Sequence, residues 1–214
     1  MSNFRILIAD DHEVVRKGLR SLVESHQGWE VCGEASDGWE TTRKAEELQP
    51  DLIALDIAMP NLNGLDAARL ILRKNPRTKI LFLTMYDTDQ VAKAAIQLGA
   101  RGLVQKSDAA RDLVAAVEAL QHDSNFFSAR AAQSDLGLDP RRKQRLLEKD
   151  ALTPRERQIV QLLAEGKSTK EAAAMLAMSV KTAETHRSNI MRKLGLHSVG
   201  ELVLYAIRNN IVQA

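Results

Sequence analysis

The chain has 214 residues, enough for one large or two small domains, and its 44% hydrophobic and 27% charged content is ordinary for a globular protein. Its apolar runs span only a few residues, so no membrane helix is expected. The start, Met1-Ser2-Asn3-Phe4-Arg5, has no signal-peptide profile, and the single Cys32 excludes an internal disulfide and fits a reducing cytoplasm. The net charge of +2 conceals a division. Residues 1–120 carry 15 Lys/Arg against 18 Asp/Glu, a balance of −3; residues 121–149 carry 6 against 4, or +2; residues 150–214 carry 9 against 6, or +3. An acidic front and a basic rear suggest two modules with different partners.

Residues 1–121 alternate strand and helix patterns. Strands are predicted at 5–9, 30–35, 51–55, 79–84 and 102–105, with helices at about 12–25, 38–48, 64–74, 89–98 and 108–121. Five such units predict a doubly wound parallel sheet covered on both faces. Gly28, Gly33, Pro50, Pro60, Pro76 and Gly99 all fall between elements. Cys32 lies in a predicted strand and reads as a structural thiol. Residues 122–149, with Leu136-Gly137-Leu138-Asp139-Pro140 and the basic run Arg141-Arg142-Lys143-Gln144-Arg145, read as a linker.

Residues 150–214 form an all-helical pattern of four helices. Thr153-Pro154-Arg155-Glu156 and Ser168-Thr169-Lys170-Glu171 are capping boxes, the first with proline at the opening helical position. Gly166 supplies the turn between two helices; Ser179 caps a third from residue 180, which Gly195 stops. That third helix is expected to turn Val180, Ala183, Ile190 and Leu194 inward and Lys181, Glu184, Thr185, Ser188 and Arg192 outward. The preceding helix carries Ala172, Ala173, Ala174, Leu176 and Ala177, small residues that permit close packing. The two, joined through Ala177-Met178-Ser179, form a helix-turn-helix. On the last helix, Val199, Leu202, Val203, Ala206 and Ile207 make an apolar stripe, part for its own domain and part for a second copy.

Chemistry concentrates where the predicted strands end. Asp10 and Asp11 follow the first, Asp56 the third, Thr84 closes the fourth and Lys106 follows the fifth. In one parallel sheet these groups converge at the carboxyl edge, where open α/β sheets bind ligands. Clustered carboxylates repel and invite a divalent cation. A carboxylate can attack phosphorus to give an acyl phosphate, with the phosphoryl oxygens neutralised by Mg²⁺, an ammonium and a hydroxyl. Asp56 is the expected nucleophile; Asp11, Asp56 and the carbonyl of Ala58 are expected to hold Mg²⁺, with Asp10 acting through water. A phosphohydrolase would need a second acid/base Asp two positions after Asp56, where this chain has Ala58, so an enzyme is not expected.

The set Asp10-Asp11, Asp56-Ile57-Ala58-Met59-Pro60-Asn61-Leu62-Asn63-Gly64, Thr84 and Lys106 resembles a response-regulator receiver domain over about residues 4–121. The resemblance implies that Asp56 takes a phosphoryl group from a phosphohistidine on a sensor kinase, and that Thr84 then moves and reshapes the face of the fourth helix and fifth strand. One departure is Leu103, three positions before Lys106, where the family usually has an aromatic switch residue. A leucine cannot report Thr84 by ring rotation.

In the rear, Leu152-Thr153-Pro154-Arg155-Glu156-Arg157, Glu165-Gly166-Lys167-Ser168, Lys170-Glu171, Ser179-Val180-Lys181-Thr182, Thr185-His186 and Lys193-Leu194-Gly195 resemble a LuxR-type helix-turn-helix over about residues 150–212. Ala172 and Ala183 stand where the family has bulkier aliphatics. The resemblance places base readers at Glu184, Thr185 and Ser188 and phosphate contacts at Lys181, Thr182 and Lys193. The whole chain is thus similar to a NarL/FixJ-type response regulator, which implies a cytoplasmic, phosphorylation-controlled transcription factor binding promoter DNA as a homodimer. Leu103 keeps open a phosphorylation-independent regulator whose receiver serves only dimerisation. His186 and His197 lack acidic or cysteine partners at ligand spacing, so zinc is not expected.

Overall fold

The computed structural model describes residues 3–85, 89–127, 152–209 and 211–212, and the chain divides into two compact units, Met1–Gly137 and Leu138–Ala214. Residues 128–151 lie outside the described residues, and with them most of the stretch read as a linker, including Arg141–Arg145 of the basic run.

In the first unit β1 (Phe4–Ala9), β2 (Trp29–Ala35), β3 (Leu52–Asp56), β4 (Lys79–Thr84) and β5 (Gly102–Gln105) alternate with α1 (Glu13–Glu24), α2 (Gly38–Leu48), α3 (Gly64–Lys74), α4 (Asp89–Leu98) and α5 (Ala109–Gln121). All pairings are parallel, in the order β2-β1-β3-β4-β5. The central strands are apolar without interruption because both of their faces are covered. Alternate residues serve opposite cores. Leu7, Ile53, Leu55, Ile80 and Phe82 pack in one cluster with residues of α2, α3 and α4; Ile6, Ile8, Leu52, Leu81 and Leu83 pack in the other with residues of α1 and α5. Each such side chain, fully buried, contributes roughly 1.5–3 kcal/mol. Leu103 is buried in the first cluster beside Val91, Ala92 and Ala95 of α4. Cys32 is half-buried in β2, and burial pushes its thiol pKa up, as expected of an unreactive thiol.

The first unit's pairing continues past α5. Phe126 donates its N–H to the Arg101 carbonyl (2.9 Å) and accepts from the Leu103 N–H (2.9 Å), bridging Gly102 in parallel. A Cβ at position 102 would lie 3.0 Å from the Phe126 oxygen and 2.7 Å from Leu81 Cδ1, so glycine permits this approach. Phe126 packs against the α1/α5 core and Phe127 against the other, so the exit segment straddles the β5 edge.

The second unit contains α6 (Pro154–Ala164), α7 (Thr169–Met175), α8 (Val180–Leu194) and α9 (Val199–Arg208). Both predicted capping boxes form, Thr153 with Glu156 and Ser168 with Glu171. Ser179 caps α8, and Gly195 closes it at φ 64°. Ile159, Val160, Leu162, Ala172, Ala173, Leu176, Ala183, Ile190, Leu202 and Ala206 are buried. Ala172 and Ala183 are both fully enclosed, and Arg155 donates to the Leu176 carbonyl, fastening α6 to the end of α7. Ala174 and Ala177 are exposed, and Ala177 adopts φ 50° in the turn between α7 and α8. No helix among the described residues is long and apolar enough to cross a membrane.

Candidate functional site

Strand register builds the first site. Ala9 pairs with Leu55, so Asp10 and Asp56 leave adjacent strands at one level. Asp56 pairs with Leu83, which puts Thr84 one step beyond it; Thr84 pairs with Gln105, which puts Lys106 next. Asp56 is therefore the last residue of β3 itself rather than the first after it. The backbone behind it is tight: a Cβ on Gly64 would sit 2.0 Å from the Asp56 carbonyl oxygen, so only glycine lets α3 begin there. Asn63, buried, caps α3 by accepting from the Asp66 N–H at 2.9 Å.

Lys106 Nζ lies 2.7 Å from Asp10 Oδ2 and 2.8 Å from Asp56 Oδ2, and all three side chains are almost wholly buried. Burial pushes the Asp56 carboxyl up to about 6 from its ordinary 3.8; Lys106 opposes that push and Asp10 adds to it. Burial alone depresses the Lys106 ammonium, but Asp56 and Asp10 outweigh it and hold its pKa above the usual lysine range. One cation thus offsets two desolvated carboxylates. The Asp56 carboxylate also accepts from the Ala58 N–H at 3.3 Å. Thr84 is 5% exposed.

Asp11 is exposed at the rim, and a histidine joins it. His12 Nδ1 sits 2.7 Å from Asp11 Oδ1 and 3.3 Å from Asp10 Oδ1, while the His12 N–H donates to Asp10 Oδ1 at 2.9 Å. Asp10, Asp11, His12 and Asp56 each offer a ligand atom within 4.8 Å of the others. Three of these donors are carboxylates, hard oxygens suited to Mg²⁺.

The second site is the outer face of α8. Lys181, Thr182, Glu184, Thr185, Ser188 and Lys193 are all exposed. Thr182 Oγ1 is 2.8 Å from Ser179 Oγ, the Thr185 hydroxyl donates to the Lys181 carbonyl at 2.9 Å, and Lys193 Nζ is 2.9 Å from Glu156 Oε2.

The model of the response regulator receiver domain matches residues 6–118, and that of the luxR family of bacterial regulatory proteins matches residues 150–206. Over 208 residues the chain is 36% identical to the transcriptional regulatory protein LiaR of Bacillus subtilis, spanning 97% of this chain and 99% of that one. The chain belongs to the NarL/FixJ-type response regulators. Among solved structures, the RcsB response regulator of Salmonella typhimurium is 30% identical with a TM-score of 0.64, covering 98% of this chain and 99% of that one. A further RcsB structure, bound to the promoter P1flhDC in the presence of the phosphomimetic BeF3-, is 29% identical with a TM-score of 0.60, covering 95% and 98%.

In this response regulator some readings need correction. Val180 is 41% exposed and Leu194 is half-buried, so the inward stripe of α8 is carried by Ala183 and Ile190. Of the residues expected to pair with a second copy, Leu202 and Ala206 are 1% and 0% exposed and belong to the unit's own core; Val199 is exposed and Val203 half-buried. Leu204, at 52%, is an exposed apolar residue that helical spacing did not single out. Asp10 also pairs with Lys106, and Lys193 is paired with Glu156. His12 directly follows the Asp10-Asp11 pair in sequence, and that adjacency is the signal for its place in the site.

Proposed function

We propose that this response regulator is switched by phosphorylation of Asp56 and that its phosphorylated form reads promoter DNA through α8 as a dimer. The observation that carries this reading is Lys106 Nζ bridging Asp10 and Asp56 at 2.7 and 2.8 Å at the mouth of the sheet. A carboxylate, an ammonium and a hydroxyl at adjacent strand ends are the parts that in-line phosphoryl transfer requires. An Asp56 oxygen forms the new P–O bond while the P–N bond of a kinase phosphohistidine breaks, and the imidazole, already protonated on its other ring nitrogen, leaves neutral. Lys106 and the Thr84 hydroxyl then stabilise the phosphoryl oxygens. Asp11, Asp56 and the Ala58 carbonyl would hold Mg²⁺, with Asp10 acting through water. When bound, the ion neutralises charge on the transferring group and offsets the mutual repulsion of the acids.

In the second unit, Lys181, Thr182 and Lys193 would contact phosphates and Glu184, Thr185 and Ser188 would face base edges. Lys193 would have to exchange its Glu156 partner for a phosphate. Val199, Val203 and Leu204 supply the remaining apolar surface of α9 for a second copy, giving an inverted-repeat site with half-sites about one helical turn apart. The partners are therefore a sensor histidine kinase, double-stranded promoter DNA and a second copy, and the setting is the cytoplasm.

Incubation with labelled acetyl phosphate and Mg²⁺ tests the acceptor. Label is expected on the wild-type chain, absent from Asp56→Asn, and retained at a lower rate in Asp10→Asn. Label that persists in Asp56→Asn would contradict the assignment. Leu103 favours a second reading, regulation without phosphorylation: it fills the α4 side of the core and has no ring to rotate. Gel shifts with and without acetyl phosphate separate the two.

A further inference from the structure

On the exposed face of α8 most polar groups are already occupied. Thr182 meets Ser179, Thr185 donates to the Lys181 carbonyl, Arg192 donates to Asn189 at 3.0 Å and Lys193 pairs with Glu156. Among the described residues, no hydrogen bond or ion pair engages the side chains of Lys181, Glu184 or Ser188. These three stand at i, i+3 and i+7, one line along successive turns. The central member is a carboxylate on a surface otherwise suited to a polyanion.

We infer that Glu184 is a specificity-determining residue that selects cytosine at one position of each half-site; this rests on the reading that α8 enters the major groove. A carboxylate offers only acceptors, so it finds partners only where a base edge presents a donor. In the major groove the donors are cytosine N4 and adenine N6. Adenine N6 lies beside the N7 acceptor of the same base, which repels a carboxylate. Cytosine N4 has no acceptor beside it on its own ring. Guanine and thymine present acceptors at the matching positions and are rejected by repulsion as well as by a missing bond. Lys181, one turn toward the helix N-terminus, is placed to take a phosphate and hold Glu184 over the bases, and Ser188, one turn the other way, tolerates several bases. Glu184 therefore lowers affinity for DNA in general while raising discrimination.

The test is selection from a random duplex library by the full-length chain treated with acetyl phosphate and Mg²⁺, compared with Glu184→Ala and Glu184→Gln. Because Glu184 is solvent-exposed, both variants are expected to fold, and thermal unfolding checks this. Wild type is expected to return one cytosine per half-site with roughly ten-fold or greater preference over other bases. Glu184→Ala should lose preference at that position alone while binding unselected duplex more tightly. Glu184→Gln should change it to adenine, since an amide can accept from N6 and donate to N7 together. The same base preferences from all three chains, with binding intact, would overturn the role of Glu184 and leave the groove reading standing. No sequence-selective binding by any of the three would sink the groove reading and this inference with it.

Discussion

The two sites treat charge in opposite ways. At the sheet edge Asp10, Asp56 and Lys106 are enclosed and paired at under 3 Å; on α8 Lys181 and Glu184 stand in solvent with no partner among the described residues. The contrast follows from what each has to do. Transfer chemistry gains from preorganised charges in a site that excludes water, at the cost of desolvating them. A reading surface must reach its target, so its groups stay hydrated and uncommitted until DNA arrives. Substitutions should therefore separate cleanly, with large stability effects at the first site and small ones at the second.

The largest effect is expected from Lys106→Ala, which leaves two buried carboxylates without their cation. Chemical denaturation near neutral pH should show a loss of about 3–5 kcal/mol, together with loss of acetyl-phosphate labelling. A loss under 1 kcal/mol would mean that the pocket is far wetter than its burial implies.

Next comes a comparison within α9. Leu202→Ala, fully inside the core, should cost about 2–5 kcal/mol. Val199→Ser and Leu204→Ser should leave unfolding almost unchanged and weaken dimerisation in sedimentation experiments on the phosphorylated chain. Equal stability losses at all three positions would erase the distinction between core and dimer surface.

Asp56→Asn should stabilise the protein in metal-free buffer. The folded-state pKa of Asp56, about 6, lies above its ordinary 3.8. Below the lower value folded and unfolded chains both hold the proton; between the two the folded chain holds more. Stability linked to Asp56 is therefore fully present at low pH and lost as pH rises through about 6. The asparagine variant should gain on the order of 2–3 kcal/mol at pH 7 and nothing near pH 3. Lys181→Ala should give the smallest change in stability, within about 0.5 kcal/mol, while lowering the salt dependence of DNA binding by about one unit of slope.

The sheet was legible because β1, β3 and β4 are buried on both faces and so read as unbroken apolar runs, and a residue that ends such a run must lie at the sheet's edge. That is why Asp10, Asp56, Thr84 and Lys106 could be placed before any coordinate. The apolar faces of α8 and α9 were only half legible. Helical spacing groups Val199 with Leu202 and Ala206, but it cannot distinguish a residue facing its own core from one facing solvent. Val180 fits the inward period yet sits in the first turn of α8, where less of the unit covers it. Phe126 and Phe127 fall in the stretch that reads as a linker because loop-like and basic residues follow them. Two adjacent aromatics in a chain with only 4% aromatic residues were the available sign that this segment packs, as it does on both sides of the β5 edge.

The most direct test of the link between the two sites is DNA affinity measured on one duplex, obtained by selection, with and without acetyl phosphate and Mg²⁺, for wild type and Asp56→Asn. Wild-type affinity should rise at least ten-fold on phosphorylation while the variant stays at the unphosphorylated level. Equal affinity in all four conditions would contradict phosphorylation control and leave a regulator whose receiver serves only dimerisation.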